Sequence, residues 1–247
     1  MSALLQVERL SKRFGGLVAV KDASFEVAPG EIVGILGPNG AGKTTLFNLL
    51  TGFIRIDQGE VRFDGHRLNG LKPYRIVNLG LARTFQLTRP FAGMSVIENV
   101  LVGCLAPRVH AHGAHAKRAL AILDQVGLAP KAEQPVEILP YGDLRRLEIA
   151  RALATRPKLL ALDEPFAGLG PGEIEPLARL IRRLHDEEGL TILIIEHKLR
   201  EFMQLVSRVI AIDFGEIIAV GPPAEIVRHP RVVEAYIGKA EDEFALA

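Results

Sequence analysis

The chain has 247 residues, 48% of them hydrophobic, with 30 Lys and Arg against 29 Asp and Glu. That is enough chain for a well-buried α/β core, and its balanced charge excludes a global basic field of the kind that gathers nucleic acid. No apolar run reaches the length of a membrane span, the longest stopping at Glu196-His197, and a single cysteine, Cys104, excludes an internal disulfide and suits a reducing cytosol.

In chain order, residues 4–10 alternate apolar and polar as a first strand, with charge at Glu8 and Arg9 where a secretory leader would need an apolar core. Ser11 to Gly16 reads as a turn, Ser24 to Ala28 as a second strand, and Pro29-Gly30 as a tight turn into the apolar run Glu31–Leu36. A glycine-rich turn then opens into a helix, Leu46–Leu50, stopped by Thr51-Gly52. Glu60–Phe63 is a short strand between turn residues, in an antiparallel β patch, and Gly80–Phe85 leads to Gln86. From Ser95, a cap, the residues Val96, Ile97, Val100 and Leu101 fall on one helix face. A loose stretch, Pro107–Ala114, precedes helix Ala116–Val126, and another helix spans Gly142–Thr155. Lys158–Leu162 is a buried strand ending in Asp163-Glu164-Pro165. Helix Glu173–Glu188 follows, then strand Leu190–Ile195, which ends at His197. Strands Arg208–Ile212 and Glu216–Val220 meet at Phe214-Gly215, and the chain from Pro222 is polar and helical.

Strands alternating with helices predict an α/β fold with a mainly parallel core sheet. The expected organisation is a single domain over 1–238 with a frayed tail over 239–247. Within it, the core and an antiparallel β subdomain take 1–86 and 156–220, an inserted helical subdomain 87–155, and a C-terminal helical extension 221–238.

The stretch Gly37, Pro38, Asn39, Gly40, Ala41, Gly42, Lys43, Thr44 and Thr45 follows a strand and opens a helix, the setting a P-loop requires. Glycines let successive N–H groups converge on one anion, and the helix N-terminus adds its positive end. Lys43 can then reach the β- and γ-phosphates, and the Thr44 hydroxyl can ligate Mg²⁺. An ordinary glycine turn before a core helix is the alternative, and both flanks with Lys-Thr in place argue against it. The apolar strand Leu159–Leu162 ending in Asp163-Glu164 fits Walker B: Asp163 would hold Mg²⁺ through its water shell, and Glu164 could accept a proton from attacking water. Without the P-loop the same acids would read as a polar turn. His197 alone is more often structural, and Gln86 alone would mean little.

The motifs together resemble the ATP-binding cassette (ABC) ATPases, from Leu4 to about Gly238. Phe14 sits where an aromatic ring stacks on adenine, and Gln86 falls in an Arg-Thr-Phe-Gln segment. Asp163-Glu164 is Walker B, His197 the switch histidine, and Leu139-Pro140-Tyr141-Gly142-Asp143 heads the signature helix. The resemblance implies ATP and Mg²⁺ as cofactors, with Thr44, Gln86 and Asp163 around the metal. It implies catalysis by Glu164, His197, Lys43 and Gln86. Pro140, Tyr141, Gly142 and Asp143 would be offered to the nucleotide of a facing, second ABC ATPase subunit. It further implies a cytoplasmic motor, peripheral on the inner face of the membrane. Its helical region would grip integral-membrane permease subunits, fed in turn by a solute-binding protein.

Within the family the chain is most similar to the ATPases of branched-chain amino-acid importers, through the Leu-Pro-Tyr-Gly-Asp signature, Arg-Arg-Leu-Glu-Ile-Ala-Arg after it, and the ending around Gly221-Pro-Pro and Val233–Gly238. Two positions depart from the usual pattern. Pro140 removes a signature hydroxyl, and Gly170 stands where an aspartate is common, so pairing with a second, similar ATPase is expected, the alternative being a symmetric homodimer in which this signature suffices. His110, His112 and His115 fit no zinc spacing and read as a solvated loop. Arg145, Arg146 and Arg151 read as the polar face of the signature helix. Two competing readings are a soluble ABC ATPase acting on nucleic acid or ribosomes and a non-hydrolysing regulatory module. Single-cassette length and balanced charge speak against the first, and only the altered signature suggests the second.

Overall fold

The computed structural model describes residues 3–110, 114–197 and 199–237. Strand β1 (Leu5–Phe14) turns at Gly15-Gly16 and pairs antiparallel with β2 (Leu17–Val27). This corrects the expected turn over Ser11–Gly16. Ser11–Phe14 continue the strand because a two-residue turn suffices, with Gly15 at φ 56°. Next come β3 (Ile32–Leu36), α1 (Lys43–Leu50), β4 (Gln58–Phe63) and β5 (His66–Arg67). They lead into α2 (Pro73–Leu79), a helix the sequence reading passed over although Pro73 opens it and Gly80 closes it at φ 108°. β6 (Leu81–Arg83) precedes α3 (Val96–Cys104), which Ser95 and Glu98 start with a reciprocal capping box. Helices α4 (Pro107–His110), α5 (His115–Gln125) and α6 (Tyr141–Leu153) follow, then β7 (Leu159–Asp163), α7 (Pro171–Glu188) and β8 (Thr191–Ile195). The chain continues through α8 (Leu199–Leu205), also unanticipated, then β9 (Arg208–Asp213), β10 (Glu216–Gly221), α9 (Pro223–Ile226) and α10 (Pro230–Ile237).

These strands make two sheets. One is antiparallel, in the order β2-β1-β4-β5. The other runs β10-β9-β3-β8-β7-β6 and is parallel except for β10 at its edge. The pleat of β3 divides the core: Val33 and Ile35 join the apolar layer between the sheets, Ile32 and Leu36 the layer on the opposite face. Helix α1 fills the space between the sheets with Leu46, Phe47, Leu49 and Leu50, all buried. Each such side chain contributes about 1.5–3 kcal/mol. Helices α3, α5, α6 and α7 contribute to the second layer. Gly34 is required in β3 because a Cβ there would lie 2.2 Å from the Phe202 ring of α8. Both phosphate-loop and Walker B segments therefore emerge at the carboxyl end of one parallel sheet, where open α/β folds bind ligands.

Candidate functional site

The loop after β3 wraps toward the first turn of α1, whose N-cap Gly42 has φ 102°. Only glycine fits there: a Cβ on Gly42 would meet the Ala19 carbonyl at 2.3 Å, and one on Gly37 the Ile212 carbonyl at 2.2 Å. Lys43 is buried, and its Nζ donates to the carbonyls of Gly37 at 2.5 Å and Pro38 at 3.0 Å. A cleft of about 390 Å³ opens over this loop. Phe14, Asn39 through Thr45, Gln86 and Glu164 all line it, so an aromatic ring, an anion cradle and a carboxylate share one cavity. Phe14 is 45% exposed, with Lys12 Nζ 5.3 Å from its ring centroid. Pro38 lies beside the cleft rather than in its lining, and Phe214 is a lining residue the sequence reading did not single out.

At the end of β7, Glu164 adopts φ 47°, a strained backbone for a non-glycine residue, and its N–H donates to the Ile195 carbonyl of β8 at 2.9 Å. Gln86 Nε2 donates to Glu164 Oε2 at 2.8 Å. His197 Nδ1 stands 3.7 Å from the same oxygen, outside hydrogen-bond length, and 3.8 Å from Glu196 Oε2. Glu196, fully buried, accepts the N–H groups of Phe166 and His197 and so ties the segment after β8 to the loop after Walker B.

Asp163 is 2% exposed and ion-paired with Arg83 at 2.6 Å. Burial raises its carboxyl above the usual range, with Arg83 acting against that shift. Arg83 was missed in the sequence, where it is one more arginine before Gln86. Thr44, Gln86 and Asp163 line a second, larger cleft of about 640 Å³, and Thr44 and Gln86 border both cavities. A hydroxyl, an amide carbonyl and a carboxylate form a hard oxygen set, which fits Mg²⁺.

The signature residues lie elsewhere. None of Pro140, Tyr141, Gly142 and Asp143 is among the residues lining the phosphate-loop cleft. Pro140 is the N-cap of α6 and offers no side-chain cap. Asp143 is paired with Lys131, and Gly142 abuts Glu173, whose Oε1 would be 2.4 Å from a Cβ there. Glu173 Oε2 accepts the Gly170 N–H at 3.0 Å, so the two unusual positions, Pro140 and Gly170, sit on segments joined through one side chain.

The reading of Arg145 as part of a polar face is overturned. Arg145 is 3% exposed and donates to the carbonyls of Phe85 (3.0 Å), Gln86 (2.8 Å) and Ala167 (3.1 Å). Beside it, Glu148 Oε1 accepts the Phe85 N–H at 2.6 Å, and burial pushes the Glu148 carboxyl up to about 7. The signature helix thus grips the backbone on which Gln86 is mounted. Arg151, half-buried, donates to the Arg89 carbonyl at 2.7 Å. The rings of His110 and His115 stack at 4.9 Å, and His112 is outside the described residues. Among the described residues no group of three or more His, Cys, Asp or Glu could hold a metal.

Residues 20–167 match the family model described as ABC transporter. Residues 216–242 match one described as branched-chain amino acid ATP-binding cassette transporter, which covers the Gly221-Pro-Pro and Val233–Gly238 pointers. The chain is 42% identical to the high-affinity branched-chain amino acid transport ATP-binding protein LivG of Escherichia coli K12, over 96% of this chain and 98% of the relative. It is 39% identical to BraF of Pseudomonas aeruginosa, a protein of the same description, with the same coverage. Among solved structures, it superposes on the ADP conformation of MJ1267, an ATP-binding cassette of an ABC transporter. The TM-score is 0.87 at 32% identity, over 97% of this chain and all of that one.

Proposed function

The chain belongs to the ABC transporter family, and on that premise we propose that it is the ATP-hydrolysing motor subunit of an importer for branched-chain or other hydrophobic amino acids. The observation that carries the reading is the single cleft that gathers Phe14, the phosphate loop, Gln86 and Glu164. The substrate class rests on the LivG and BraF relatives and on the matched C-terminal segment.

In this reading adenine stacks on Phe14 while the loop N–H groups and Lys43 hold the phosphates. Thr44, Gln86 and Asp163 would hold Mg²⁺, which would neutralise charge on the β- and γ-phosphates. Glu164 accepts the proton of the attacking water, and His197, close to Glu164, turns to the γ-phosphate. A second cassette closes head to tail, so that Tyr141 and Gly142 at the start of α6 meet the nucleotide of the facing subunit. The charge that develops on the transferring group is met from both sides.

The larger cleft is the proposed permease contact. Phe53, Phe85, Leu87, Phe91 and Val102 give it a partly exposed apolar wall, with Arg89 and Arg151 on the same lining. A permease helix with an apolar ridge and an acidic residue would fit. Gln86 borders both cavities, so a change at the γ-phosphate has a short path to this groove. No helix among the described residues is long and apolar enough to cross a membrane, and the proposed location is peripheral, at the inner face. The test is co-expression with branched-chain amino-acid permease subunits and their solute-binding protein. The chain should then fractionate with membranes, and vesicles loaded with ATP should accumulate leucine. Vesicles that hydrolyse ATP yet take up no branched-chain amino acid would remove the substrate assignment.

A further inference from the structure

Arg83 joins three parts of the molecule that are far apart in sequence. Its Nη2 bonds Asp163 Oδ2 at 2.6 Å, and its Nη1 bonds Asn48 Oδ1 at 2.6 Å and Thr51 Oγ1 at 3.2 Å on the end of α1. The guanidinium carbon also lies 5.2 Å from the Phe85 ring centroid, 5.6 Å from Phe47 and 5.8 Å from Phe53. Phe53 and Phe85 pack edge to face, centroids 5.5 Å apart, and both are partly exposed in the larger cleft. A planar fork is needed for this: a lysine keeps the charge but cannot bond α1 and Asp163 at once while lying against rings.

We infer that Arg83 is a positioning residue for the metal-site carboxylate, held by the aromatic wall of the proposed docking groove so that groove and metal site are mechanically joined. By engaging Oδ2 it fixes the plane of the Asp163 carboxylate and leaves Oδ1 for the cation's water shell. Partners that orient a ligating carboxylate carry a large share of metal affinity, typically 10–100-fold. Because Phe53 and Phe85 touch the guanidinium from the groove side, a helix pressing on them alters the aim of Asp163. The inference rests on the reading of Asp163 as the Mg²⁺ residue.

The experiment measures how much Mn²⁺ tightens binding of a fluorescent, non-hydrolysable ATP analogue, comparing affinity with and without the metal. In Arg83→Met the tightening should shrink by about 10–100-fold, while affinity for the metal-free analogue stays within about threefold. Arg83→Lys should fall between Arg83→Met and the unaltered protein. Phe85→Leu should lose part of the tightening too, since it disturbs only one ring. A merely structural arginine would lower the melting temperature and both affinities together. Arg83→Lys tightening as strongly as the unaltered protein, with Asp163→Asn impaired, overturns the inference alone. An unimpaired Asp163→Asn overturns the metal reading and the inference with it.

Discussion

Gln86 donates its side-chain amide to Glu164 at 2.8 Å, which connects the larger cleft to the residue proposed to activate water. Its backbone is not free to drift. Arg145 holds the carbonyls of Phe85 and Gln86, and Glu148 holds the Phe85 N–H. A signal received by α6 therefore reaches Gln86 through three hydrogen bonds and Glu164 through a fourth.

Gln86→Ala removes the last of these bonds without touching the phosphate loop. Affinity for ATP without metal should stay within about threefold, whereas turnover with metal and permease present should fall at least about tenfold, the scale of a misplaced reacting group. Stimulation by permease that survives in this variant would show that the signal bypasses Gln86.

Glu148 supplies a pH dependence. Its ordinary value of 4.5 is raised to about 7 in the folded chain by burial, against the Phe85 N–H and the neighbouring Arg145 and Arg151. Between those values the native state keeps a proton that the unfolded chain has released, so this contribution to stability is complete at low pH and is lost as pH rises through 7. The unfolding free energy of the unaltered chain, relative to Glu148→Gln, should fall by about 2–3 kcal/mol from pH 4.5 to pH 8. Denaturant titrations at several pH values measure this, and a flat difference would mean that the buried pair with Arg145 keeps Glu148 ionised throughout.

Pairing is the third consequence. Pro140 has no N–H or hydroxyl to give a facing phosphate, Asp143 is tied to Lys131, and Glu173 brings a carboxylate against Gly142. The start of this chain's signature helix should therefore be a weak partner to its own phosphate loop in a second copy. Light scattering on Glu164→Gln with ATP should find little homodimer at low micromolar protein and a stable dimer when a second, similar ATPase is added. A tight homodimer under those conditions would make the symmetric pair sufficient.

Much of this site was legible because its chemistry is local. Gly37 to Thr45 carries its loop, lysine and hydroxyl in one stretch, and Asp163-Glu164 carries its strand and acids in another. What stayed hidden depends on partners distant in the chain. Arg83 meets residues 32, 35 and 80 positions away, and no spacing rule links them. Arg145 was misread because an arginine on a helix is usually solvated, whereas here backbone carbonyls 59 and 60 residues earlier accept from it. Helix α2 escaped notice because it buries only Ile76 and so shows no apolar stripe, though Pro73 and Gly80 mark its ends.

Glu164 is the residue on which hydrolysis depends most directly. The residue is 9% exposed, with its carboxylate bonded to Gln86 and near His197, on the wall of the phosphate-loop cleft. Glu164→Gln keeps the shape of the side chain and removes its basicity. Steady-state ATP hydrolysis, measured beside ATP binding in the same preparation, should fall by about 100-fold or more with affinity unchanged. Hydrolysis within a few-fold of the unaltered protein would contradict the assignment of Glu164 as the base.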